Sequence, residues 1–183
     1  MNSFQKCILL MCLAIVPALV APKAMAGEWD KATKVTFNTP VEVPGAILQP
    51  GTYVFTVAPD SNGQVVQIWN EDRTKLYTTA LAIPNYRLNV PDKPVVLFDE
   101  HPSASVPAVK AWFYPGDPIG REFVYPKAKA TELASRTKQP VLAMRNEPTS
   151  NKPAALQTVV VIAIKPSGEE VDKEQALQSQ PSR

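Results

Sequence analysis

The sequence predicts an all-β protein, an antiparallel β-sandwich or small barrel of about seven or eight strands followed by a largely disordered C-terminal tail. Three observations carry that expectation. Between Gly27 and Lys127, twelve prolines and six glycines punctuate short runs rich in Val, Ile, Thr and aromatic residues, which leaves little room for helices. The runs recur at roughly ten-residue spacing with turn residues between them, the rhythm of hairpins rather than of strand-helix-strand units. All thirteen aromatic residues beyond position 26 lie between Trp29 and Tyr125, and the 56 residues from Ala128 to Arg183 contain none. A ring-free segment of that length is a poor candidate for a second core, so the domain is expected to end at Lys127.

The chain opens on Lys6, an apolar run from Cys7 to Val20, and Ala24-Met25-Ala26. This is the pattern of a signal peptide, residues 1–26, cleaved after a small-x-small site. The apolar run contains Pro17 and falls short of the roughly 20 residues that span a bilayer, so no transmembrane segment is expected after cleavage. Both cysteines, Cys7 and Cys12, leave with the signal, as do Lys6 and Lys23. Seventeen basic residues then face seventeen acidic ones. A neutral chain has no electrostatic attraction for nucleic acid, and an exported chain without disulfides must be held by its core alone. The expected location is the periplasm or the exterior.

Within 27–127 the first strand is Thr33 to Asn38, where Val35 and Phe37 alternate with Lys34 and Thr36. Val41-Glu-Val-Pro-Gly45 and Ile47-Leu48 follow, and Gln49-Pro50-Gly51 turns into Thr52 to Val57, with Tyr53, Phe55 and Val57 on one side. Asp60-Ser-Asn-Gly63 has hairpin chemistry because Asn and Gly accept positive φ. It leads into Gln64 to Asn70, with Val66 and Ile68 on one face and Trp69 on the other. After the polar turn at Glu71 to Thr74 comes a strand from Lys75 to Ile83, stopped by Pro84. Asn85-Tyr86-Arg87 and a loop through Pro91 lead to Val95 to Asp99. The last hairpin is the chain's most distinctive stretch: Ala111 to Tyr114 and Arg121 to Tyr125 flank Pro115, Gly116, Asp117, Pro118 and Gly120. Alternation puts Val109, Ala111 and Phe113 on one face and Lys110, Trp112 and Tyr114 on the other, so both carry aromatics and the pattern alone does not choose the core face.

Several of these runs, in this order, resemble a family. Thr36-Phe37, Pro40-Val-Glu-Val-Pro-Gly45, Leu48-Gln-Pro-Gly-Thr-Tyr-Val-Phe55, Leu76-Tyr77, Leu81-Ala-Ile-Pro84, Lys110-Ala-Trp-Phe-Tyr-Pro-Gly116 and Glu122-Phe-Val-Tyr-Pro-Lys127 are similar to segments of uncharacterised exported proteins common in Acidobacteria. The resemblance covers about residues 28–127. It implies export and the domain's extent, and it transfers no activity, ligand or site residue.

The tail, 128–183, contains a short helix over 128–138 with Leu133 as its one large apolar residue, the run Gln139 to Met144, and a Pro- and Ser-containing linker. Val159 to Ile164 reads as a docking strand that adds to a sheet edge of its own domain or of a partner. Its bulkier alternate set, Val160, Ile162 and Ile164, is expected to fill the pockets.

The residues do not dictate a chemistry. His101 is the one histidine, and no G-x-S-x-G elbow surrounds Ser103 or Ser105. Asp92, Asp99 and Glu100 lack the spacing of a calcium loop. No metal, cofactor or catalytic residue is expected. The reading is a non-catalytic binding or interaction module of the cell envelope or exterior, its partner an envelope protein or a glycan. The alternative is a carbohydrate-binding or small hydrolytic domain, for which Trp69, Trp112, Tyr114 and Tyr125 are the candidate recognition surface.

Overall fold

A computed structural model describes residues 31–99 and 106–178. The segment 1–26, read from the sequence as a signal peptide, lies outside the described residues, as do Glu100, His101, Ser103 and Ser105. The expectation of an all-β protein holds. The main sheet is a curled, seven-stranded antiparallel half-barrel, built from β1 (Ala32–Phe37), β4 (Gly51–Val57), β5 (Val65–Asn70), β6 (Leu76–Tyr86), β7 (Val95–Phe98), β8 (Val109–Phe113) and β9 (Ile119–Phe123). Its strand order is β1-β4-β5-β6-β9-β8-β7. A two-stranded hairpin, β2 (Val41–Val43) with β3 (Ala46–Leu48), leaves the main sheet and buries Val41, Val43 and Leu48 in the core.

The pivot of the sheet is β6, eleven residues long. Its first half pairs with β5, ending at Leu81 opposite Val65, and its second half, Ala82 to Tyr86, pairs with β9. Pro84 sits inside this strand without breaking a bond. The Ala82 N–H reaches Gln64 on the β5 side, while the Leu81 carbonyl accepts from Val124 on the β9 side. Two-residue alternation therefore turns the nitrogen of Pro84 toward the β5 side, beyond the end of that strand.

The curl brings the sheet's two edges toward one another. Phe37 of β1 meets Phe98 of β7 with ring centroids 6.2 Å apart. Trp112 of β8 donates its indole N–H to Thr33 Oγ1 of β1 at 2.8 Å. Trp112 thus answers the question the hairpin pattern left open: it points into the half-barrel with Phe55 and Phe123. Phe113 is equally buried on the opposite face, at 0 % exposure, its ring over Gly120 and under the Arg87 guanidinium, 5.1 Å from the centroid.

The expected flexible tail requires correction. From Lys127 to Gln178 the chain is structured. The strand β10 (Tyr125–Pro126), helix α1 (Lys127–Thr137) and β11 (Val141–Met144) form a parallel crossover, and β12 (Val161–Ile164) and β13 (Glu170–Asp172) extend it into a four-stranded sheet ordered β10-β11-β12-β13. Short helices α2 (Pro153–Leu156) and α3 (Lys173–Gln178) accompany it.

Both faces of this sheet are covered. Val141 and Ala143, with Ile162 and Ile164 opposite them, join Leu133 of α1 in the cluster that holds Phe55, Trp112 and Tyr125. Leu142 and Met144, with Ala163 and Val171, join Leu81, Ile83, Val124 and Leu156 in a second cluster. A strand buried on both faces reads as an unbroken apolar run, which is the pattern of Val141 to Met144 and of the run ending at Ile164. There is accordingly no domain boundary at Lys127, because the main core is shared across it.

The docking strand is corrected in the same terms. Residues 161–164 lie between β11 and β13, strands of the supposed tail, and not on an edge of the half-barrel. Ile162 and Ile164 are fully buried as the alternate set required, whereas Val160 precedes the strand and is 49 % exposed. The expected helix at 128–138 matches α1, which ends on Lys138 in the left-handed region, its N–H bonded to Ala134 O.

Candidate interaction surface

The four aromatics proposed from the sequence do not come together as an exposed platform. Trp112 and Tyr125 are each 1 % exposed. The Tyr125 hydroxyl donates to the carbonyls of Val109 at 2.8 Å and Glu42 at 3.2 Å, which ties β10 to the start of β8 and to β2. Burial, with Asp99 and Glu42 nearby, pushes this phenol well above its ordinary range. Trp69 on β5 and Tyr114 beside the hairpin loop are half-buried, and Tyr114 packs against the main core with the Lys31 ammonium 6.0 Å from its ring. A stacking surface needs open ring faces, and two of the four rings are sealed inside the protein.

Exposed apolar surface appears instead in the connection from β6 to β7, where Tyr86 is 72 %, Leu88 83 % and Val90 52 % exposed. This bend is held at both ends. The Arg87 N–H donates to Pro118 O at 3.0 Å, and the Gly116 N–H donates to Pro91 O at 2.8 Å, so the bend is strapped to the β8–β9 loop. Gly116 adopts φ +77, which glycine tolerates without strain. The Arg87 side chain turns inward over Phe113 while its neighbours turn out. Three exposed apolar side chains on an anchored bend have no account in folding energetics, since each loses burial free energy of about 1.5–3 kcal/mol by standing in water.

The hairpin loop on which the bend is strapped is itself braced. Asp117 is ion-paired with Lys31 and accepts the Ile119 N–H at 2.8 Å through Oδ1. Burial acts to raise its carboxyl, but the Lys31 and Ile119 hydrogen bonds outweigh this and hold it below the ordinary value.

On the strand behind the bend, Glu122 is 3 % exposed and accepts from Asn85 Nδ2 at 2.6 Å. Burial raises its carboxyl, partly offset by Lys110 and by the Asn85 hydrogen bond. A raised native pKa means that Glu122 favours the folded state fully below the ordinary glutamate range, and that this contribution is lost as pH rises through the raised value. Glu122→Gln, which keeps the acceptor without the charge, should therefore raise the melting temperature at neutral pH and leave it unchanged at pH below the ordinary carboxylate range. Equal effects at both ends of a melting-temperature series against pH would contradict this assignment.

A cavity of about 130 Å³ lies between the β2–β3 turn, β6 and the connection after β11, lined by Pro44, Tyr77, Thr79, Met144, Glu147 and Leu156 among others. It is well below the roughly 300–1,000 Å³ of small-molecule sites and suits a few waters. Among the described residues, no three His, Cys, Asp or Glu side chains are grouped to hold a metal, and no helix is long and apolar enough to cross a membrane.

The architecture defines the class: a curled antiparallel half-barrel closed on one side by an α/β layer. No family model, curated protein or solved structure matches the chain. The exposed bend was missed in the sequence, although Tyr86, Leu88 and Val90 alternate with Arg87 and Asn89 between two prolines, an apolar pattern out of place in a loop.

Proposed function

We propose that the protein is an exported, non-catalytic interaction module of the cell envelope or exterior, and that it engages a protein partner through the Tyr86–Val90 bend. The observation that carries this reading is the combination of high apolar exposure with firm anchoring at both ends of one short bend. A floppy apolar loop would pay an ordering cost on binding, whereas a strapped one presents its side chains already placed. Tyr86 supplies the aromatic anchor typical of interface hot spots, and Leu88 and Val90 supply flanking apolar area. A glycan partner has less support, because Trp112 and Tyr125 are withdrawn into the core.

The test is chemical cross-linking in the native envelope with wild-type protein, Tyr86→Ala and Leu88→Asp. Both side chains are solvent-exposed, so melting temperatures should stay within the effect of about 0.5 kcal/mol expected of surface substitutions. Partner recovery should fall at least about tenfold, the loss of one hot-spot contact. Recovery of the same adduct at wild-type yield from both variants would end this reading.

A further inference from the structure

We infer that the cavity between the β2–β3 turn, β6 and the connection after β11 is a binding site for the N-terminus of a polypeptide whose first residue carries an aliphatic side chain. The α-ammonium group stands against Glu147, and the side chain fills the depth of the cavity. Its wall changes character from floor to rim. Pro44, Met144 and Leu156 are buried, the last two at 5 % and 1 % exposure, whereas Tyr77, Glu147 and Asn151 are exposed at the mouth.

Among the described residues, Glu147 is the one charged group on this wall. It has no ion-pair partner among them, and Arg145, two positions earlier, is turned toward Glu170 and Asp172. Lys75 lies over the Tyr77 ring, 4.8 Å from its centroid, and Lys152 is exposed next to Asn151, but neither lines the cavity. The uncompensated charge at the rim is therefore negative.

An anionic rim above an apolar floor selects an occupant whose cation sits immediately beside an apolar group. A lysine side chain has the opposite order. Its ammonium leads and its methylenes follow, so entry would set the charge on Met144 and Leu156, where nothing solvates it. An N-terminal residue fits, because its α-ammonium and its side chain branch from one carbon. The size agrees. A volume of about 130 Å³ excludes ligands of ordinary small-molecule size, but apolar cavities of about 150 Å³ take up benzene, so a Val or Leu side chain is within capacity. Beyond the first residue the bound chain leaves past Thr79 and Asn151, whose side chains offer hydrogen bonds to its first peptide group. The site is separate from the Tyr86–Val90 bend. Tyr77 and Tyr86 lie toward opposite ends of β6, roughly 30 Å apart along the strand.

The test is an NMR titration of the chain Gly27–Arg183 with leucine N-methylamide, which should give saturable shifts at the amides of 77–79 and 147–151 in the millimolar range. N-acetyl-leucine N-methylamide keeps the side chain without the charge, and glycine N-methylamide keeps the charge without the side chain. Each should bind at least about tenfold more weakly, as should leucine N-methylamide to Glu147→Gln. Glu147 is exposed, so that variant should melt with the wild type. Binding should also fall as pH rises through about 7.7–8.0, where the ligand's α-amino group loses its proton while Glu147, Lys75 and Lys152 keep their charges. Absence of saturable shifts at these residues overturns the inference, and so does equal affinity for the acetylated ligand or for Glu147→Gln. Nα-acetyl-lysine N-methylamide binding as tightly as leucine N-methylamide would overturn the assignment to an N-terminus. None of these outcomes alters the cross-linking result at Tyr86 and Leu88, which is read with Glu147 intact.

Discussion

Deleting residues 128–183 should abolish the native fold of what remains, not trim a tail from an independent domain. Leu133, Val141, Ile162 and Ile164 lie in one cluster with Phe55, Trp112, Phe123 and Tyr125, and their exposures range from 0 to 5 %. At about 1.5–3 kcal/mol for each large apolar side chain, their loss removes about 6–12 kcal/mol of burial, against a typical total stability of about 5–15 kcal/mol. The rings left behind would also face water. Ile162→Asp in the full chain should have a similar consequence, because a carboxylate in the middle of a doubly covered sheet has neither solvent nor partner. Circular dichroism melts and limited proteolysis decide the matter: the truncated chain should show no cooperative transition, and the full chain should resist cleavage between 128 and 145. A sharp melt and a protease-resistant fragment ending near Lys127 would restore the boundary drawn from composition.

The second large effect is expected at the Phe113–Gly120 contact. A Cβ built on Gly120 would stand 2.5 Å from carbons of the Phe113 ring, so the glycine is there to admit the ring rather than to make a turn. Phe113→Ala should cost about 3–5 kcal/mol, since it empties a fully buried aromatic site and leaves the Arg87 guanidinium without the ring it covers. Gly120→Ala should cost about 1–3 kcal/mol through overpacking. The informative variant is the double one. With the ring removed, the added methyl has space, so the two costs should fall short of additive by at least about 1 kcal/mol in urea unfolding. Strict additivity would mean that the ring does not rest on Gly120.

The contact also bears on the proposed interaction, because Arg87 is both the lid of Phe113 and the N-terminal strap of the exposed bend. Phe113→Ala should loosen the bend as well as the core, and amide exchange over 86–91 should rise in that variant even where the protein remains folded. A mutation in the sheet would thereby reach the exposed side chains of the bend through Arg87.

Local pattern by itself determined the all-β class, the positions of most half-barrel strands within a few residues, the turn at Asp60–Gly63 and the short helix after Lys127, because turn chemistry, alternation and helical composition are carried by neighbours in the chain. Tertiary structure alone decided three further things. It chose Trp112 over Phe113 for the half-barrel interior, a choice alternation leaves open when both faces of a strand carry rings. It folded the C-terminal segment into the core: Val141–Met144 and Val161–Ile164 are too short to stand alone, and their burial depends on each other and on Leu133 and Trp112 from distant parts of the chain. Finally, it left Tyr86, Leu88 and Val90 in water while sealing Trp112 and Tyr125 away, because exposure is set by which long-range contacts form, and composition is blind to them.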